Sequence, residues 1–402
     1  MNTSNSSFLV KLRHPPSAVE LCRQAGAEPV TPDIVLVRDP EQALSNFGGE
    51  VDYIVPNDRY HRFQSRPSDK VPSALWGLDN NGQDGGKPDA DIDAPEAWKM
   101  STGKDVLVAV LDTGIDTTHP DLLPNMYVNA AEIPGDGLDN DGNGVVDDVH
   151  GYNAADQTGN PWSDDPHGSH CAGTIAAKGR VLGVAPDAKI LPIKIYDEDD
   201  WTDASTIIRA LQYAQDAGAR IASHSYTGLL YNRAVEEMFA KTDMLHVVAA
   251  GNHHSNNDEK KTYPPSYELP NLITVAASDR HDRIADFSNY GPKSVHLAAP
   301  GVEILSTTSY GNWGSWNGTS MACPHVAGTG ALLASKFPDE SPADWKKRIL
   351  ESVDVQPGWE EKVQTGGRLN AYRALGGETA QERATRIDLE RLRRTGRSGA
   401  SG

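Results

Sequence analysis

The sequence predicts an α/β domain on a mostly parallel central sheet, preceded by a small α+β unit. Three observations carry this. Between residues 94 and 377, short apolar runs alternate with amphipathic stretches. Those runs are continuous rather than in-and-out, as strands covered by helices on both faces require. Ahead of them, residues 1–63 hold brief strand-like and helix-like segments, cut off by a polar, Pro/Gly-rich connector over 64–93.

In the front unit, residues 8–12 read as a strand, 17–25 as a short helix, 33–37 as a strand, 41–47 as a helix and 51–55 as a closing strand. So small a unit is expected to lean on its neighbour for stability. In the main domain the predicted strands are 106–111, 190–195, 221–225, 245–250, 272–277 and 295–299. The predicted helices are 204–217, 233–241 and 341–353. Residues 378–402 are charged, end in a Gly/Ser-rich run and read as a disordered tail.

Composition removes several functions. Lys+Arg number 37 against Asp+Glu 56, a net charge of −19. That sign disfavours nucleic acid and anionic membranes as partners. Nothing approaches the ~18 consecutive apolar residues of a membrane span. Three cysteines make no disulfide framework and match no zinc spacing. The start lacks a basic segment followed by an apolar one, so no signal peptide is evident. As written this suits the cytoplasm; a trimmed start would suit export.

Four blocks carry chemistry. The strand 108–112 ends in Asp112, followed at once by the turn Thr113-Gly114. His167 opens a Gly/Ala-rich stretch, His167-Gly168-Ser169-His170-Cys171-Ala172-Gly173. The strand 247–250 ends in Gly251-Asn252, which puts an amide at the sheet's carboxyl edge. Ser320 lies at the mouth of a small-residue helix, Gly318-Thr319-Ser320-Met321-Ala322, in the positive field of its N-terminus. Each alone has a bland reading as a cap, a turn or a structural histidine. Together they place Asp, His and Ser in the chain order known for one of the unrelated triads.

On these blocks, with Trp76–Asn80, Ala94–Trp98, Ala285–Gly291 and Ala299–Gly301 in order, the sequence resembles the subtilisin-like serine proteases (subtilases, peptidase S8) from about Phe8 to Leu375. The resemblance implies a three-layer subtilisin-like fold and a serine endopeptidase. It makes Ser320 the nucleophile, His167 its base and Asp112 the group that orients the imidazole. Asn252, with the Ser320 backbone N–H, becomes the oxyanion donor. Substrate strands are expected along Ser225, Tyr226, Thr227 and Gly228 on one side and along Asp200 and Trp201 on the other, with Ala250 and Gly251 below. Thr227 stands where the family usually has Gly. The carboxylates of 197–200 are expected to favour a basic residue second from the cut. Residues 1–63 resemble the inhibitory propeptide, implying self-cleavage between Phe63 and Gln64 with Tyr60 in the fourth subsite. Partners are then polypeptides and the chain's own propeptide, with a monomer expected.

The run Asp136, Asp139, Asp141, Asn143, Asp147, Asp148 puts oxygen donors at close spacing among glycines, suited to Ca²⁺. Position twelve of an EF-hand loop is His150 instead of Glu, so it reads as a free-standing structural calcium loop. His170 reads as structural, and Cys171 and Cys323 as small buried apolar residues. Two other activities stay open: a binding protein of this fold with negligible turnover, and transpeptidation through the same acyl-enzyme.

Overall fold

The computed structural model describes residues 7–13, 27–62, 66–67 and 75–378. In the front unit, β1 (Phe8–Leu12), β2 (Glu28–Thr31), β3 (Ile34–Val37) and β4 (Val51–Pro56) make an antiparallel sheet ordered β2-β3-β1-β4. Between β3 and β4 lies α1 (Pro40–Phe47), N-capped by Asp39, whose side chain accepts from the backbone of Glu41 and Gln42. Alternation along the strands buries both faces. Val10, Leu12, Val35 and Val37 pack with Ala43 and Phe47 of α1. Leu9, Val30 and Ile34 face the other way, into a cluster shared with the main domain. The helix expected over 17–25 and the tail beyond 378 lie outside the described residues.

The chain then runs through β5 (Arg59–Arg62), β6 (Arg66–Pro67) and the single turn α2 (Ala94–Ala97). There follow β7 (Leu107–Asp112), β8 (Tyr152–Asn153), α3 (Pro166–Ala176), β9 (Lys189–Lys194), β10 (Thr202–Asp203) and α4 (Ala204–Asp216). Next come β11 (Ile221–His224), β12 (Tyr226–Thr227), α5 (Arg233–Lys241), β13 (Leu245–Ala249), β14 (Leu272–Ser278) and β15 (Leu297–Pro300). The hairpin β16 (Ile304–Thr308) and β17 (Asn312–Asn317) leads into α6 (Thr319–Lys336), then α7 (Pro342–Glu351), β18 (Asp354–Val355), β19 (Gly367–Arg368) and α8 (Ala371–Ala374).

Nine strands form the central sheet, ordered β8-β9-β7-β11-β13-β14-β15-β19-β18, every neighbouring pair parallel except β18 with β19. The six strands expected from the main domain are all present, with ends shifted by a residue or two. The two helix layers follow from the residue alternation. Val108 and Val110 pack with α3 and α6, whereas Ala109 and Leu111 pack with α4 and α5. The amphipathic helices α4 and α5 carry one apolar face each. By contrast, α6 is buried almost throughout, from Thr319 to Ala334.

This packing places strand ends and helix starts together. α3 lies so close to the end of β7 that a Cβ on Gly168 would sit 2.1 Å from the Gly114 carbonyl oxygen and 3.2 Å from Asp112 Cβ. Backbone on the receiving side cannot yield as a side chain would. Gly168→Ala is therefore expected to destabilise by on the order of 2 kcal/mol through overpacking. Urea unfolding measures it, and unchanged stability would contradict the close packing.

Candidate active site

Asp112 is the last residue of β7 and is buried. Its Oδ1 accepts from the Thr113 backbone N–H at 2.7 Å and lies 2.7 Å from His167 Nδ1. His167 is the second residue of α3, where Pro166 and the N-cap Asp165 fix the helix start. Asp165 Oδ1 accepts from the His167 backbone N–H at 2.9 Å. The imidazole is thus set by a cap below and a carboxylate at its Nδ1.

Ser320 is the second residue of α6 and fully buried. Its Oγ takes no hydrogen bond from the described residues. Asn252 follows β13 and ties itself to the same helix start. Its Oδ1 accepts from the Thr319 N–H at 2.9 Å and from Thr319 Oγ1 at 2.8 Å. This occupies the amide oxygen and turns the amide nitrogen to the opposite side. Asn252 also acts as the cap that Gly318 has no side chain to supply. Gly251 N–H donates to Thr319 Oγ1 at 3.1 Å, and Ala250 is the buried residue between β13 and that turn. Beside Asn252 a cavity of about 580 Å³ opens between Phe287, Asn317, Arg283 and Glu303.

The neighbouring groups are structural. His170 Nε2 lies 3.0 Å from the Ile304 carbonyl oxygen and 3.2 Å from that of Gly314, and complete burial pushes the imidazole down to about 3. It serves the β16–β17 hairpin. Cys171 and Cys323 are fully buried. Burial raises the Cys171 thiol well above its ordinary value and Cys323 to about 12, so neither is a thiolate at neutral pH.

The residues expected to line substrate edges meet a strand of the chain itself. β5 lies between β10 and β12 in a sheet ordered β10-β5-β12, antiparallel to both. Arg62 pairs with Tyr226 and His61 with Thr227, while Tyr60 pairs with Thr202 and Arg59 with Asp203. Tyr60 is fully buried, edge-on to the Tyr226 ring with centroids 6.3 Å apart. A Cβ at Gly228 would stand 2.7 Å from the Tyr60 ring, so glycine makes that pocket. Trp201 lies against His61, and Asp200 pairs with Arg62. Ser225 is buried behind this edge, 3.9 Å from Cys171 Sγ. Phe63 and Gln64 lie outside the described residues.

The front unit rests on helix starts. Asn57 Oδ1 accepts from the Ser205 N–H at 2.8 Å, in the first turn of α4. Asn232, which caps α5, donates to the Pro56 carbonyl at 2.9 Å and to Asp58 Oδ2 at 3.0 Å. Tyr53 donates to Glu237 Oε2 at 2.6 Å.

The acidic loop is held by its own carboxylates. Asp136 and Asp147 accept from loop backbone, at Leu138 and at Gly135 and Gly137 respectively. Asp148 is buried under Asn129, Asn143 and Tyr213. Asp139 and Asp141 also accept from loop backbone, at Gly142, Asn143 and Gly144, and they converge with Glu132, one carboxylate oxygen of each within 4.8 Å of the others. Glu132 Oε1 accepts two backbone N–H groups, but its Oε2 is buried with no hydrogen-bond partner. Asn143 braces this group through Asp141. Glu132 lies outside the acidic run 136–148, and nothing in its immediate sequence marks it. Asp121 accepts at Oδ2 from the Val181 N–H at 2.9 Å and from Trp313 Nε1 at 2.8 Å.

The Subtilase family model, Peptidase_S8, matches residues 103–376. Thermitase from Thermoactinomyces vulgaris is 33% identical over 294 residues, covering 71% of this chain and 93% of thermitase. Subtilisin-like protease 1 of Plasmodium falciparum is 32% identical over 344 residues, covering 78% of this chain and 49% of that protein. The chain thus spans about half the length of its Plasmodium relatives. Among solved structures, fervidolysin from Fervidobacterium pennivorans, described as a keratinolytic enzyme related to subtilisin, aligns with a TM-score of 0.73 at 25% identity, covering 94% of this chain and 62% of its own. The order of the four blocks, the three-layer fold and these relatives together make the chain a member of the subtilase family.

Proposed function

We propose that this subtilase is a serine endopeptidase, made as a precursor whose own front unit occupies the cleft. The observation that supports it most is the insertion of Arg59–Arg62 as the middle strand of a three-stranded sheet. A peptide substrate is read in that manner, by main-chain pairing to two edges with side chains in alternate pockets. Arg62, at the end of that strand, contacts Asp165, the residue that caps the helix carrying His167.

In this reading Ser320 Oγ attacks the carbonyl of the residue after Arg62 while His167 Nε2 takes its proton. Asp112 keeps the Nδ1 proton in place and stabilises the imidazolium. The Asn252 amide nitrogen and the Ser320 backbone N–H, at the start of α6, bind the oxyanion as it forms. Removing such an amide costs on the order of 10²–10³ in rate, a magnitude measured on subtilisin itself. The protonated His167 then hands its proton to the leaving amine, which departs toward the cavity beside Asn252. Water completes the cycle. Residues 1–63 act as the inhibitor, cut after Phe63 and held afterwards as product, while 64–93 form the arm leading to the catalytic domain, 94–377.

The acidic loop's donors fit a hard cation. They are all oxygens, and one of them, Glu132 Oε2, is buried without a partner. Glu132, Asp139 and Asp141 would hold Ca²⁺, which would supply charge neutralisation that stiffens the loop.

Two measurements test these readings. A fluorophosphonate probe is expected to label the protein at Ser320, with labelling lost in Ser320→Ala and reduced at least 100-fold in His167→Ala. Equal labelling of the Ser320→Ala variant would overturn the enzyme reading. Chelation is expected to lower the melting temperature by several degrees, with the response much reduced in the double variant Glu132→Gln, Asp141→Asn. A melting temperature indifferent to chelator rejects the calcium reading.

A further inference from the structure

We infer that the cleft selects arginine at the second residue before the cut, through a clamp of two carboxylates, Asp165 and Asp200, that meet one guanidinium. This rests on the protease reading above and adds a substrate class to it.

The register of β5 leaves little choice of which residue meets the clamp. Tyr60 and Arg62, two apart, project from the same side of the strand. Tyr60 is locked in its buried pocket against Tyr226 and Gly228. A slip of one residue would expel that ring and carry Arg62 to the other face. With the register held, Arg62 Nη1 lies 2.5 Å from Asp165 Oδ2 and Nη2 lies 3.2 Å from Asp200 Oδ2. Each carboxylate takes a different nitrogen of the guanidinium. A planar fork can span two acceptors in this way, and a single ammonium cannot do so with the same geometry.

The two arms differ in origin and in strength. Asp200 comes from the acidic edge 197–200, but Asp197 there spends its Oδ1 on the N–H groups of Asp199 and Trp201. Only Asp200 of that edge reaches Arg62. Asp165 comes from the helix side. It is already immobilised as the N-cap of α3, its Oδ1 holding the His167 N–H, so its Oδ2 is presented to the cleft in advance. The Asp165 side chain is 26% exposed and that of Asp200 59%, so solvent screens Asp200 more. Asp112 adds attraction from farther away. A peptide without a cation there leaves Asp165 Oδ2 and Asp200 Oδ2 without that partner.

Because the Asp165 arm also caps the helix that carries His167, a bound arginine is tied to the catalytic base through one side chain. A contribution to kcat as well as to KM is therefore expected.

The test uses the full-length protein after self-processing, titrated with the fluorophosphonate to count active Ser320. Matched fluorogenic peptides are compared, Tyr-His-Arg-Phe against Tyr-His-Ala-Phe and Tyr-His-Lys-Phe. The wild type is expected to prefer Arg over Ala by about 10- to 100-fold in kcat/KM, the range for charge-assisted hydrogen bonds, with Lys between. The Arg/Ala ratio within each variant is the readout. Asp165→Asn keeps a capping acceptor, and there the ratio is expected to fall at least tenfold, with part of the loss in kcat. In Asp200→Asn it falls less. A wild-type ratio near one, or a ratio unmoved in both variants, overturns the clamp while leaving the protease reading standing. Absence of Ser320-dependent labelling overturns both together.

Discussion

Two short sheet edges, Thr202–Asp203 and Tyr226–Thr227, are joined by one strand, and the organisation of the molecule depends on what lies between them. An unpaired edge carries a row of backbone donors and acceptors that seek a partner. Here the partner is Arg59–Arg62, supplied by the chain itself. Main-chain pairing sets its direction, Tyr60 sets its register, and the front unit holds it in place from the starts of α4 and α5. On the proposed reading, the gap that takes an extended peptide is the one that the chain's own front unit closes.

The chemistry beneath that strand comes from the ordinary logic of a parallel sheet. Strand ends and helix starts gather at one edge, where ligands are bound in open α/β sheets. Asp112 ends β7, Asn252 follows β13, and His167 and Ser320 are each the second residue of a helix. Their positions are held by backbone as much as by side chains. Gly168 lets α3 approach the end of β7, Asp165 fixes the start of that helix, and Thr319 and Asn252 fix each other at the start of α6. Polar side chains near a helix start thus serve both as caps and as chemistry. Asp165 is the clearest case, with one oxygen on the His167 N–H and the other on Arg62.

Much of this was legible because it is local. Asp112 at a strand end, and His167 and Ser320 among small residues, are read from their immediate neighbours. So are the sheet strands, which are continuous apolar runs, and α4 and α5, which are amphipathic. Other features depend on contacts far apart in the chain. Pro29 inside Glu28–Thr31 argues against a strand, yet β2 forms at an edge where a missing N–H is tolerated. The full length of α6 shows no apolar stripe because the helix is buried on nearly every side, and Pro324 lies within it. Glu132 stands outside the alternating acidic run and joins Asp139 and Asp141 only when the loop folds back. Asp136, Asp147 and Asp148 of that run accept from backbone and side-chain donors, as Asp139 and Asp141 also do. Asp165 reads in sequence as a cap before proline, with nothing to mark its second oxygen.

The central claim is that the precursor's own strand lies in the cleft as the peptide that is cut. Intact-mass analysis of the purified chain beside its Ser320→Ala variant tests it most directly. The account predicts that the wild type separates into two fragments joined originally at Phe63–Gln64, while Ser320→Ala stays whole. A wild-type chain that remains whole, a cut at another bond, or the same cut in the Ser320→Ala variant would contradict it.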